Sequence, residues 1–109
     1  MPGYTFVQNL LTHQPIPDDG ILTRQVYDDP KVRIVLFTFS SGQKLSEHTA
    51  STTALLHILS GEATLTLGAD VVDVGPGALI RMDPGLAHSV VTKSPVTMLL
   101  VLLKKEEKS

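Results

Sequence analysis

Turn-forming residues recur at short intervals along the whole chain, and this spacing constrains the fold more than any other feature. Gly, Pro, Asp or Ser interrupts the sequence roughly every 6–12 residues. No segment between these interruptions has the apolar repeat of three to four residues that is typical of an amphipathic helix. The spacing therefore predicts short β-strands in an all-β sandwich or barrel.

The segments between the turns have the composition of strands. Alternation of apolar and polar residues over Glu62–Leu67 predicts a strand with one buried face, and the nearly continuous apolar run Val32–Phe39 predicts a strand covered on both faces. The predicted strands are Tyr4–Leu11 as a first edge strand, Ile21–Tyr27, Val32–Phe39, Thr52–Leu59, Glu62–Leu67, Val71–Val74, Ala78–Met82, His88–Thr92 and Val96–Leu103.

The length of the chain predicts a single domain. A chain of 109 residues can enclose one hydrophobic core but not two. We expect residues 1–109 to form this domain, with a core over about residues 21–103, an N-terminal strand and loop over residues 1–20, and a charged tail over residues 104–109.

Composition excludes several classes of function. The formal net charge is −2 and no basic cluster precedes Lys104 and Lys105, so the chain lacks the cationic face that nucleic-acid binding requires. There is no cysteine, which excludes disulfides, thiolate metal sites and cysteine nucleophiles. Neither a signal peptide nor an apolar run long enough to cross a membrane is present, so we expect no membrane partner and a cytoplasmic location.

Two segments bounded by glycine each contain one histidine. The first, Gly42–Gly61, contains His48, and the second, Gly77–His88, ends at its histidine. Glycines at segment ends favour turns with positive φ or close approach of two backbones. The two histidines lie so far apart in sequence that they can meet only if the chain folds back on itself. We expect them to meet at the mouth of a small β-barrel.

These segments resemble the two motifs of the cupin superfamily, in its small single-domain type. The first cupin motif reads G-x5-H-x-H-x3-E-x6-G, and the second reads G-x5-P-x-G-x2-H-x3-N. The residues that fall on motif positions are Gly42, His48, Gly61, Gly77, Gly85 and His88. The resemblance covers nearly the whole chain in strand order and implies the cupin fold, a double-stranded β-helix that forms a jelly-roll barrel.

The departures from the two motifs affect the implied metal site. Cupins that bind a metal usually hold iron, manganese, nickel or zinc with three histidines and one glutamate. Here Ala50 stands at the position of the second histidine, Ala54 at that of the glutamate and Thr92 at that of the asparagine. The resemblance thus leaves His48 and His88 as metal ligands, and two imidazoles would hold a divalent transition metal only weakly.

Three other side chains could complete the ligand set only by departing from their expected directions. They are Glu47, His57 and Asp83. The alternation along the strand directs His57 to the outer face of the barrel, where cupins often pack against a second subunit.

We expect His48 and His88 to share a pocket with apolar walls. The remaining lining residues predicted from the motif positions and strand alternation are Ala50, Ala54, Leu56, Ile58, Ile80 and Met82. The sequence does not decide which alternate residues of Val32–Phe39 face this pocket.

Three hypotheses for the function follow. The first is a binding module whose pocket accepts a small molecule, since such sites are concave and largely apolar with a few polar groups. The alternative is a metal-dependent enzyme of dioxygenase, isomerase or lyase type, with His48 and His88 as ligands. The third is a structural dimer without a ligand. In each case we expect a homodimer, because Val32–Phe39 and Val96–Leu103 contain more apolar residues than one small barrel can enclose.

Overall fold

The computed structural model describes residues 3–105, and these residues form nine β-strands and no helix. The strands are β1 Ile21–Asp28, β2 Val32–Phe39, β3 Lys44–His48, β4 Ala54–Ser60, β5 Ala63–Leu67, β6 Asp70–Val74, β7 Leu79–Met82, β8 His88–Thr92 and β9 Val96–Leu103. The predicted all-β fold class is therefore confirmed. No helix within residues 3–105 could span a membrane.

Two antiparallel sheets form the walls of the barrel. One has the strand order β1-β2-β9-β4-β7 and the other has the order β3-β8-β5-β6. The core lies between them and consists of side chains from both sheets, of which Phe39, Ile58, Leu65, Val90 and Met98 are at most 1% exposed. Burial of this apolar surface is the main force that holds the two sheets together.

The second half of strand β2 is covered on both faces, as its apolar composition predicts, whereas Arg33 in the first half is exposed. Phe37 and Phe39 face the core, which settles the alternation that the sequence left open. Thr38 faces the other way and is also fully buried, because the segment before β1 crosses that face. The Gln14 side-chain amide donates to the Thr38 hydroxyl oxygen at 3.0 Å, and that hydroxyl donates to the Pro15 carbonyl at 2.8 Å.

The N-terminal segment differs from its prediction. Tyr4–Leu11 forms no strand, although its composition favoured a first edge strand. The Asn9 side chain accepts a hydrogen bond from the Leu11 N–H at 2.9 Å, and the Asn9 carbonyl accepts one from the Thr12 N–H at 3.2 Å. Local bonds of this kind give the backbone a turn in place of a sheet ladder.

The register of strand pairing shifts at three places within residues 3–105, one each in β1, β3 and β4. In β1 a bulge between Gln25 and Tyr27 places Tyr27 opposite Ile34, so the simple alternation expected along this strand is broken. In β3 a bulge lies between Leu45 and His48. The sequence did not predict β3 as a strand, because its residues are mostly polar and its pairing with β8 is short.

The other strands begin and end within two residues of the predicted bounds. Of the predicted charged tail, Lys104 is half-buried and its N–H donates to the Lys31 carbonyl at 2.8 Å, whereas Lys105 is exposed. Residues 106–109 lie outside the described residues.

Candidate functional site

One end of the barrel gathers charged and imidazole side chains in two rows of directly paired residues. The row across the five-stranded sheet is Asp28, Arg33, Leu102, Ala54 and Met82. The row across the four-stranded sheet is His48, His88, Leu67 and Asp70. Directly paired residues of antiparallel strands project to the same face. Since both rows contain core residues or residues packed on the core, both rows project to the barrel interior.

Two loops join these rows and show that they lie at the same end. Residues 49–53 lead from His48 to Ala54, and residues 83–87 lead from Met82 to His88. The Gly85 N–H donates to the Ala50 carbonyl at 2.8 Å and ties the two loops together. We call the two rows and these two loops the mouth of the barrel.

The structure brings the two motif histidines into contact. His48 and His88 are directly paired across β3 and β8, so they lie on neighbouring strands of one sheet and not on facing strands. Their ring centroids are 4.1 Å apart and the ring planes meet at 62°, an edge-to-face arrangement. His88 is 5% exposed, whereas His48 is exposed at the rim.

Both imidazoles are held in the same way. The Nδ1 of His48 lies 2.8 Å from the Ser46 carbonyl oxygen, and the Nδ1 of His88 lies 2.9 Å from the Leu86 carbonyl oxygen. A carbonyl oxygen can only accept, so each Nδ1 carries the proton and donates. In the neutral rings each Nε2 is consequently an acceptor with a free lone pair. Neither Nε2 takes part in a hydrogen bond within residues 3–105.

The donor set does not fit a resident catalytic metal. Such sites use three or more protein ligands, and no group of three metal-ligating side chains occurs within residues 3–105. His57 is half-buried and pairs with Leu79 and Leu99 on the outer face. The Asp83 carboxylate accepts instead from Arg81 at 2.7 Å. The remaining candidate, Glu47, is exposed within the bulged part of β3.

The side chains predicted to line the pocket lie inside the barrel. Ala54, Leu56, Ile58 and Met82 belong to the core and are at most 3% exposed, and Ala50 and Ile80 pack against it. These side chains fill the interior beneath the mouth, so a ligand would rest on them and would contact the rims of the two sheets.

A charged group at the mouth was not found by sequence reasoning. The Asp28 carboxylate accepts from the Arg33 Nε at 3.3 Å and from the Lys104 ammonium. The hydrogen bond from Lys104, followed by that from Arg33, holds the pKa of Asp28 below its ordinary value. The neighbouring Asp29 forms the turn before β2, where its carboxylate accepts from the Lys31 and Val32 N–H groups at 2.7 and 2.8 Å. The unresolved alternation of β2 had concealed the inward direction of Arg33.

Comparison with known proteins agrees with this architecture. The family profile of the cupin domain matches residues 35–102, which is more than half of the chain. A conserved protein of unknown function from Streptococcus pyogenes is 29% identical, with 95% of this chain and 91% of that chain covered and a TM-score of 0.86. A cupin superfamily protein from Desulfitobacterium hafniense is 25% identical, with 84% of each chain covered and a TM-score of 0.80. A cupin 2 conserved barrel domain protein from Leptotrichia buccalis is 24% identical, with 88% of this chain and 47% of that chain covered and a TM-score of 0.83. No curated protein matches the chain.

Proposed function

Because this chain belongs to the cupin family, we propose that it is a binding module whose barrel mouth accepts a small organic molecule against His48 and His88. The pair of anchored imidazoles is the observation that carries this proposal. Their free Nε2 atoms are two acceptors for a hydroxyl or N–H group of a ligand. A cysteine-free chain is compatible with the reducing cytoplasm, which we propose as its compartment.

The walls around the imidazoles favour a ligand that is partly apolar. Leu67 adjoins His88 in one row, and Leu102 and Met82 lie in the other row. Small-molecule sites combine apolar walls of this kind with a few directional polar groups. The T-shaped contact leaves no gap between the two rings, so the ligand would rest on the pair of rings rather than between them.

The metal-dependent enzyme is the competing hypothesis. Cupins often bind metals, and an Nδ1 that donates to a backbone carbonyl is also how proteins orient a metal-ligating histidine. Two nitrogen donors without a carboxylate would nevertheless hold a divalent ion weakly, since catalytic sites use at least three protein ligands. The donor set therefore favours a binding module.

A ligand screen with histidine variants tests the proposal. Thermal-shift screening against small hydroxylated and aromatic compounds should find ligands that raise the melting temperature. His48→Ala should then weaken their binding about 2- to 10-fold, as expected for the loss of one hydrogen bond. His13→Ala is the matched control, because His13 lies in the N-terminal segment and its backbone carbonyl, which accepts from Arg24, is retained.

Two results would contradict the binding module. Equal affinities for His48→Ala and His13→Ala would place the ligand elsewhere. Elemental analysis of protein purified without chelators or a metal-affinity tag is the second measurement. Near-stoichiometric transition metal that is lost in His48→Ala would favour the enzyme hypothesis instead.

We also propose that the chain forms a homodimer through the outer face of the five-stranded sheet. Leu99, His57 and Leu79 are directly paired across this face, and Leu79 is 67% exposed. The N-terminal segment leaves Tyr4 and Phe6 more than 70% exposed beside a groove of about 770 Å³. Exposed apolar side chains such as Leu79, Tyr4 and Phe6 favour contact with equivalent side chains on a second copy.

Light scattering tests the dimer. The mass should be twice the 11.8 kDa of one chain, and Leu79→Lys should reduce it to that of a monomer. Val71→Lys is the control, since Val71 is similarly exposed at 70% but lies in the other sheet. A monomer before any substitution would refute the dimer.

A further inference from the structure

A groove of about 370 Å³ adjoins the mouth of the barrel. Its lining residues are Arg33, Ala50, Ser51, Thr52, Leu102, Leu103, Lys104 and Lys105. Ala50 follows His48 by two residues, which limits their Cα separation to about 7 Å. One molecule of modest size can therefore contact both the imidazole pair and the groove.

Within residues 3–105, the side chains that line the groove include three cations and no anion. Arg33 and Lys104 share the single carboxylate of Asp28, and Lys105 adds a third cation to the lining. The chain as a whole has a formal charge of −2, so this concentration of cations is not a reflection of its composition. A local excess of one sign attracts a ligand of the opposite sign.

The cations of the groove retain donors for a ligand. The Arg33 Nε and Nη2 contact Asp28 at 3.3 and 3.5 Å, which leaves the Nη1 donors of the guanidinium. The Arg33 and Lys104 side chains are 44% and 32% exposed, so a ligand can reach both. Ser51 and Thr52 also line the groove, and their hydroxyl groups can donate.

We infer that this groove binds an oxyanion, either a phosphate or a carboxylate group, carried by the molecule that contacts His48 and His88. This inference rests on the proposed function and specifies the chemical class of its ligand. Guanidinium and ammonium donors form their strongest hydrogen bonds with such anions. Asp28 competes with the ligand for the same two cations and so limits its affinity.

Titrations with inorganic phosphate and, separately, with malonate at constant ionic strength test the inference. NMR follows the Arg33 Nε–H in the parent chain and the backbone N–H signals of Ser51 and Thr52, which also line the groove, in every variant. Arg33→Gln should weaken binding about tenfold, as expected for the loss of a charge-assisted hydrogen bond. Arg81→Gln is the matched control, because Arg81 also pairs with an aspartate but lies outside the groove. Binding of phosphate alone would identify a phosphate-bearing ligand, and binding of malonate alone would identify a carboxylate.

A second pair of variants separates binding from a structural role. Asp28→Asn removes the competing carboxylate and should strengthen oxyanion binding several-fold, an effect that a purely structural defect would not produce. Asp73→Asn is the control, since Asp73 pairs with Lys93 in the other sheet and should leave the affinity unchanged. Melting curves establish whether each variant is folded. If Arg33→Gln does not fold, Lys104→Met replaces it, with Lys93→Met as the control.

The inference is overturned if Arg33→Gln and Arg81→Gln bind both anions equally well, or if Asp28→Asn weakens binding. It is also overturned if neither anion shifts the Arg33 signal. In these cases uncharged ligands that depend on His48 would still support the proposed function. Anion binding that is weakened by Arg33→Gln would support the oxyanion site in the groove. If ligands at the same time bind His48→Ala as tightly as the parent chain, the proposed role of the histidines would be refuted.

Discussion

The two ends of the barrel are built from the same strands but differ in how far their side chains are exposed to solvent. At the mouth, Asp28, Arg33 and His48 are exposed. At the opposite end, which we call the closed end, Phe39, Val96 and Ala63 are fully buried. The strands run from one end to the other, so tight packing at the closed end can fix the backbone while side chains at the mouth stay accessible. Stability and recognition are thereby separated along one set of strands.

Close backbone contact and a buried hydroxyl distinguish the closed end. A Cβ on Gly61 would lie 2.0 Å from the Pro95 carbonyl oxygen, well inside the contact distance. The Thr92 hydroxyl is buried, donates to the Ser40 carbonyl at 2.8 Å and accepts from the Gln43 N–H at 2.9 Å. At the mouth, by contrast, the hydrogen bond between the Gly85 N–H and the Ala50 carbonyl joins two loops at the surface.

The largest expected effect comes from placing one methyl group at each end. Gly61→Ala should lower the free energy of unfolding by about 2–5 kcal/mol, because both the positive φ of 84° and the contact with Pro95 oppose a side chain. Gly85→Ala at the mouth has a similar φ of 83° but open space around the new Cβ, so about 1–2 kcal/mol is expected. Urea denaturation measures both values, and equal losses would refute the difference in packing.

A smaller effect is expected from removing one hydroxyl from the closed end. Thr92→Val preserves the shape of the side chain but leaves the Gln43 N–H and the Ser40 carbonyl without this partner. The expected loss of unfolding free energy is about 1–3 kcal/mol. His48→Ala at the exposed rim should change stability by no more than about 0.5 kcal/mol. If denaturation shows a greater loss for His48→Ala, the mouth also contributes to the stability of the barrel.

The smallest effect concerns acid. At the mouth, a hydrogen bond from Lys104 is the chief cause that lowers the pKa of Asp28 below its ordinary value of 3.8. Near the closed end, a hydrogen bond from Lys93 is the chief cause that lowers the pKa of Asp73 in the same way. A carboxylate whose pKa is lowered on folding stabilises the fold above that ordinary value. This stabilisation is lost as the pH falls through the lowered pKa.

Melting temperatures measured between pH 7 and pH 2 test this effect at both ends. The loss of stability below about pH 4 should be smaller in Asp28→Asn and in Asp73→Asn than in the parent chain. Both carboxylates are accessible to solvent, so the two differences should be small and similar. An unchanged acid response in both variants would show that neither ion pair contributes to stability.

The sequence was informative about the fold because strand alternation and turn residues are local properties. Val32–Phe39 was correctly predicted as a strand. Coverage of both faces holds for its second half, whereas Arg33 near its start is exposed. Lys44–His48 was not predicted as a strand, because its polar side chains carry no alternation and pairing with β8 alone holds it extended. Tyr4–Leu11 was predicted as a strand on composition but forms none, and the hydrogen bonds of Asn9 form a turn at the end of this segment.

By itself, the sequence determined that the chain is an all-β barrel of the cupin family and that His48 and His88 occupy motif positions. Only the tertiary structure decided that the two rings touch, that their Nε2 atoms form no hydrogen bond within residues 3–105, and that Arg33 and Asp28 lie in the row across from them. The physical reason is that a β-bulge reverses the direction of every side chain beyond it, and that a nearly continuous apolar strand such as β2 does not show in its sequence which face is inward. Such reversals are set by pairing with distant strands, which no local pattern records.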